Sequence, residues 1–330
     1  MRPLVSLVEA RPETVLDDYR RALALAGLDQ PSAAGPWAVA ASLDGARWQA
    51  GRTCPPWQIG GVLKVLGAGG HQAAPAGLNV AAVGPGGLQS WPEAAPWPDQ
   101  AAGVMVCDAA GARGAPVPVR PTARLTSLEA TGAAPTVPFA LRHQAVLALA
   151  AADLVSPSWR IEGACATLGR LILGGHPARR GVPEPEIRAD TVALLRELFP
   201  ALGGVVDGTL WHVGPRGRVV ARHVVIAGAD PVAVDALALR LAGYGPREVP
   251  WLRLCAERGL GAVDPAHMRL VGHTGLLDLD FALPEPTFAR PAGRWLARRL
   301  NFRRTPVAAG GPWAALYDDM RAGRAAKADG

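Results

Sequence analysis

Three aspartates and a histidine between residues 203 and 236 are the groups best suited to move protons or hold a cation. Asp207 ends the apolar run GGVVD, His212 follows in LWHVG, and Asp230 and Asp235 lie at the start of ADPVAVDALALRLAG. Two carboxylates brought close raise one pKa or recruit a cation or an arginine. A carboxylate beside a histidine suits acid–base work or a divalent metal. Asp207, Asp235 and His212 are therefore the candidate catalytic groups, with the identity of any metal left open. Each has a plainer reading. Asp230 can cap a helix with Pro231 in its first turn, where a missing N–H costs nothing. Asp235 sits among Val232, Val234, Ala236 and Leu239, where a carboxylate is costly unless paired, and an arginine could pair it. His212 lies near the end of a strand, where ligand clefts of open α/β sheets form, and is otherwise a core or surface histidine.

A second set of residues suits an anion. GGHPARRG (174–181) places His176 beside Arg179 and Arg180. Glycine-rich turns expose N–H groups and arginines add forked donors, although a solvated basic loop reads the same way. GPGG (84–87) and GAGG (67–70) are turn glycines, and neither fits GxGxxG after a strand. No GxSxG, HExxH or P-loop occurs.

Composition narrows the chemistry. The 330 residues are 49% hydrophobic and 19% charged, which marks a globular chain with ample core. The formal charge is +6, nearly all of it from arginine, because lysine occurs only at positions 64 and 327. A lysine-tethered cofactor has few places to attach. The basic residues are too dispersed to imply specific nucleic-acid binding, but they favour anionic partners. Cys54, Cys107, Cys165 and Cys255 lie far apart, so neither an iron–sulfur cysteine run nor a zinc pair is expected. No apolar run reaches the roughly 18 residues of a membrane span, and no signal peptide is apparent, so the expected location is the cytoplasm.

The elements that must position these groups alternate. LVSLVEA (4–10), WAVAASL (37–43) and LNVAAVG (78–84) read as strands, separated by helices at about 12–26 and 55–70. That β-α-β-α-β order predicts a parallel sheet covered by helices. Residues 85–135 are rich in proline and glycine, with one strand at 104–107, and read as an irregular insertion. FALRHQAVLALAAADLV (139–155) predicts a short helix into a strand, and helices follow at 163–173 and 190–199, the latter with Asp190 as N-cap. Strands at 203–208 and 218–228, helices at 231–242 and 250–258 and a short strand at 268–272 complete the pattern. The tail departs from it. FARPAGRWLARRLNFRR (288–304) is a basic amphipathic segment suited to an anionic membrane surface or an acidic protein, and GPWAALYDDM (311–320) predicts a packed helix.

The segment 203–272 resembles the family catalogued as domain of unknown function 362. The resemblance rests on Asp207-Gly208, on Gly214-Pro215 with Gly217, on Asp230 to Ala236, and on Gly259-Leu260-Gly261. It continues more weakly, but in the same order, over 1–202. It implies a ligand site that adds Asp230, Arg160, Arg170, His176 and Gly214 to the candidate residues. The chain departs from the family where relatives carry lysines. Trp159, Arg160 or Ile161 occupies the first such motif and Gly169-Arg170 the second. The ferredoxin-type cysteines of many relatives are absent too. A looser likeness to the lactate racemase family implies only a shared fold, because a lysine-held cofactor does not suit Gly169.

Taken together, these features predict an α/β fold of mainly parallel strands flanked by helices, with a proline- and glycine-rich insertion and a basic C-terminal tail. The family domain spans 1–275, divisible into lobes at about 1–135 and 136–275, and 276–330 is an extension. The expected function is an enzyme binding a small anionic metabolite in an interlobe cleft, by acid–base or metal-assisted chemistry. The alternative is a non-catalytic accessory protein of a biosynthetic or redox system.

Overall fold

The computed structural model describes residues 2–33, 35, 37–43, 48–68, 78–83, 104–108, 117–119, 121–154, 161–175, 177, 180–214, 218–278 and 311–328. In chain order they form β1 (Leu4–Glu9), α1 (Val15–Leu25), β2 (Trp37–Ser42), α2 (Pro56–Ala68), β3 (Leu78–Val83), β4 (Val104–Asp108) and β5 (Val117–Pro118). Then come α3 (Thr126–Ala130), β6 (Thr136–Val137), β7 (Ala145–Leu154), α4 (Ala164–Leu173), α5 (Glu184–Leu198), β8 (Leu202–Val213) and β9 (Arg218–Gly228). The chain closes with α6 (Pro231–Leu241), α7 (Pro250–Glu257), β10 (Arg269–Gly272) and α8 (Pro312–Ala328).

One sheet of eight strands runs in the order β10-β1-β9-β8-β7-β2-β3-β4. Every pairing is parallel except the two made by β9, which runs against all the others. The α/β fold with a mainly parallel sheet is thus present. The sheet draws β1–β4 from residues 1–135 and β7–β10 from residues 136–275, with β1 between β9 and β10, so both segments share one sheet.

Strand periodicity sorts the core into two faces. Along β7, Val146, Ala148, Ala150, Ala152 and Leu154 join the core packed with α4, α5, α6 and α7. Ala145, Leu147 and Leu149 join the other, with residues of α1 and α2 and with Trp313 of α8. β7 is buried along its whole length, as expected of a strand covered on both sides.

The segment before β7 forms a short 3-10 helix at Phe139–Leu141, leading into the strand as expected. One local expectation changes. Asp190 does not cap its own helix, because α5 begins at Glu184 after Pro183, with Glu184 and Glu186 in its first turn. Acidic residues and a proline suit the positive end of a helix, and they set the start well before Asp190. Most of the insertion and the basic segment 288–304 lie outside the described residues. Among those described, no helix is long and apolar enough to cross a membrane.

Candidate functional site

The sheet is irregular where β8 passes between its neighbours. β7 and β8 pair up to Ala151 and Asp207, after which the register slips and Ala152 faces Trp211. β8 slips against β9 at the same level, between Gly208 and Leu210. Asp207 pins this bulge. Its Oδ1 accepts from the backbone N–H and hydroxyl of Thr209 at 2.9 and 2.6 Å. Its Oδ2 accepts from the Trp57 indole at 3.0 Å and from the Tyr19 hydroxyl. Burial pushes the Asp207 pKa up while these hydrogen bonds oppose the rise, and burial beside Asp207 pushes Tyr19 up as well. Gln58 steadies the strands just below by donating to the carbonyls of Ala150 and Val205 at 3.2 and 3.0 Å. Asp207 is therefore saturated, facing α1 and α2.

The remaining aspartates anchor helices. Asp235 gives one oxygen to the N–H of Ala164 at 2.7 Å and the other to that of Cys165 at 2.9 Å, capping α4 from within α6. The approach requires Gly163, because a Cβ there would lie 2.1 Å from the Asp235 Oδ1. Burial pushes Asp235 up to about 7, against the pull of the two N–H bonds. Asp230 caps its own α6 through Val232, as the Asp-Pro pair predicts, and also holds Ala262 N–H and Arg196, each at 3.0 Å. Asp190 caps α3 through the N–H groups of Ser127 and Leu128 and pairs with Arg258 at 2.7 Å. In each case a carboxylate fills donors that a helix start leaves without intrahelical partners.

A different arrangement occupies the carboxyl ends of β7 and β8. Asp153 and His212 face each other across the two strands, with His212 Nδ1 2.9 Å from Asp153 Oδ1. Arg52 approaches the other oxygen of Asp153, Nε to Oδ2 at 3.5 Å. Gly51, at φ 69°, presses on the strand: a Cβ there would come 2.4 Å from the backbone nitrogen of His212. On the opposite face, Arg170 of α4 donates to the Ser42 hydroxyl at 2.9 Å and pairs with Glu162 at 3.4 Å. The Glu162 N–H donates to the Asp153 carbonyl at 2.8 Å, which ties this pair to the same strand end.

The predicted residues are thus dispersed. Asp207 and Asp235 lie on opposite faces of the sheet. Asp230 follows β9, whose end pairs with the start of β8 at Gly204, so it lies at the other edge from His212. The separation is roughly 25 Å, at a strand rise of about 3.3 Å per residue. His212 and Arg170 are at the strand ends, and Gly214 follows β8 at φ 72°, in the left-handed region that glycine favours. Arg160 and His176 lie outside the described residues. Among the described residues no group of three or more His, Cys, Asp or Glu could hold a metal ion. Burial pushes the thiols of Cys54 and Cys165 up, and that of Cys255 to about 12, so all three stay protonated and poorly nucleophilic.

No protein-family model matches the chain, and no curated protein or solved structure matches it. The site must therefore be read from its own geometry. A groove of about 230 Å³ between α1 and α2 is lined by Asp17, Arg20, Asp29 and Lys64, and a pinhole of about 10 Å³ lies beside Arg188; neither touches Asp153 or His212. Sequence reasoning missed Asp153, Arg52 and Gly51. The available signal was the one carboxylate in the apolar run AVLALAAADL, placed where that strand ends.

Proposed function

We propose that this chain is an enzyme that binds a small anionic metabolite at the carboxyl ends of β7 and β8, with His212 as its acid–base group. The observation that carries this reading is the hydrogen bond between Asp153 and His212 Nδ1, with Arg52 on the remaining carboxylate oxygen. A carboxylate facing Nδ1 selects the tautomer protonated there and leaves Nε2 to take or give a proton. Arg52, whose NH1 donates to the Gln49 side chain at 3.1 Å, brings a permanent charge suited to a carboxylate or phosphate. The position is where open α/β sheets collect ligands. The motif resemblance over 203–272 supports the same end of β8, since it includes Gly214, two residues beyond His212. On this reading the protein works in the cytoplasm, and the basic sequence of 288–304 suits an anionic membrane or an acidic protein.

The test is native mass spectrometry for a co-purifying anion, paired with thermal shift in inorganic phosphate and malonate. A stabilising shift that is lost in Arg52→Ala and in His212→Ala is expected. A shift that survives both substitutions, or none at any concentration, overturns the reading. One observation favours the non-catalytic alternative: His212 and Asp153 are only 3% and 5% exposed. An accessory protein would bind the anion equally well as His212→Asn.

A further inference from the structure

The C-terminal helix α8 touches the body through a few side chains of its first turns. Trp313 is 2% exposed, and Leu316, Tyr317 and Met320 pack beside it, whereas Asp318, Asp319 and Arg321 face solvent. These contacts converge on aromatic rings. Trp313 lies 5.1 Å from Trp57, Tyr317 lies 4.8 Å from Trp48, and Trp48 meets Trp57 edge to face at 4.9 Å. The Trp313 indole N–H also donates to His223 Nδ1 at 3.0 Å. His223 holds a φ of 54° in β9, at the slip in the β8–β9 ladder.

Trp48 opens the turn that carries Gly51 and Arg52. The N–H groups of Arg52 and Thr53 donate to the Gln49 carbonyl at 3.0 and 3.1 Å, and Gln49 N–H donates to the Thr53 hydroxyl at 3.0 Å. These bonds tie residues 49–53 into one closed turn. A displacement of Trp48 reaches, within four residues, both the glycine pressed on His212 and the arginine facing Asp153. From the other side, Trp57 holds the Asp207 carboxylate that pins the bulge before His212.

We propose that α8 is a positioning strap: by clamping Trp48 and Trp57 through Tyr317 and Trp313, it holds Gly51 and Arg52 against the Asp153–His212 pair, and the site is complete only while α8 is docked. The inference rests on reading that pair as the functional site. Trp313 and Tyr317 act through the turn, so they are positioning residues and touch no ligand.

The experiment uses the full chain and two readouts. The first is the downfield proton resonance of His212 Nδ1–H, assigned by its loss in His212→Asn. The second is titration with inorganic phosphate. Tyr317→Ala and Trp313→Ala should keep a cooperative melt, lose the resonance to solvent exchange, and bind phosphate about tenfold more weakly. Trp313→Phe keeps the ring stack and should restore both. Should Trp313→Ala fail to fold, Tyr317→Ala, whose ring is less buried, carries the same expectation. An unchanged His212 resonance in folded Tyr317→Ala overturns the strap. If the resonance responds while the parent itself binds no phosphate, the strap stands and the anion-site reading fails.

Discussion

Asp235 and Asp153 are both buried carboxylates that serve the end of a regular element, yet they hold opposite kinds of partner. Asp235 divides its two oxygens between two backbone N–H groups at a helix start. Asp153 divides its own between an imidazole and a guanidinium. Backbone donors cannot leave, titrate or be exchanged for a ligand, so a carboxylate filled by them is part of the framework. Side-chain donors can swing away and give place to a ligand. That difference separates Asp235 from Asp153, whereas Asp190 and Asp230 combine the two, each holding backbone N–H groups and an arginine.

The contrast breaks most sharply at Gly163. Gly163→Val should evict the Asp235 carboxylate and strand two N–H groups, at a cost of about 1–3 kcal/mol for each. Urea unfolding should show that loss, with the phosphate-induced thermal shift intact; a variant of parental stability would remove Asp235 from the framework. Asp235→Asn keeps one acceptor but turns a donor toward the second N–H, and should cost about 1–3 kcal/mol.

The same variant gives a pH signature. Burial raises the Asp235 pKa from 3.8 to about 7, so the folded chain holds this proton more tightly than the unfolded chain. Its contribution to stability is complete below about pH 4 and declines as the pH rises through about 7. The stability of the parent relative to Asp235→Asn should therefore fall between pH 4 and 8. A relative stability that rises across that window would contradict the assignment.

Changes at the strand ends should cost less stability and more function. Asp153→Asn leaves the packing in place, and its unfolding free energy should fall by about 1 kcal/mol. Acid–base turnover of an identified substrate should fall by roughly 10²–10⁴-fold. Arg52→Ala should have the smallest structural effect, about 0–1 kcal/mol for a pair with a partly exposed cation. It should nevertheless abolish the phosphate shift. If Arg52→Ala destabilises the chain as much as Gly163→Val does, the distinction between the two regions collapses.

What could be read from the sequence followed the range of the interactions. The strands were legible because a strand covered on both faces is a run of apolar residues, and AVLALAAADL is one such run. Asp230 was legible as a cap because the proline that starts its helix is the next residue. Asp190 and Asp235 were not, because the N–H groups they hold lie more than sixty residues away in the chain. Asp207 stood out as a site candidate because it ends the apolar run GGVVD. Its donors Tyr19 and Trp57 come from helices that only the folded sheet brings under it. Arg52 was hidden for the same reason: nothing local distinguishes an arginine in a turn from one that reaches a strand end.

The position of β1 between β9 and β10 has a consequence for how the chain is made. Val5 pairs with Gly228 on one side and with Leu270 on the other, so β1 is synthesised long before either partner exists. At about 5–20 residues per second, that apolar strand waits on the order of 10–50 s for its neighbours. During that interval β2, β3 and β7 can already assemble into a parallel core that leaves β1 unpaired. A nascent chain stalled before residue 224 should thus hold an apolar strand open to chaperones or to pairing with another copy, and release past residue 272 closes that exposure.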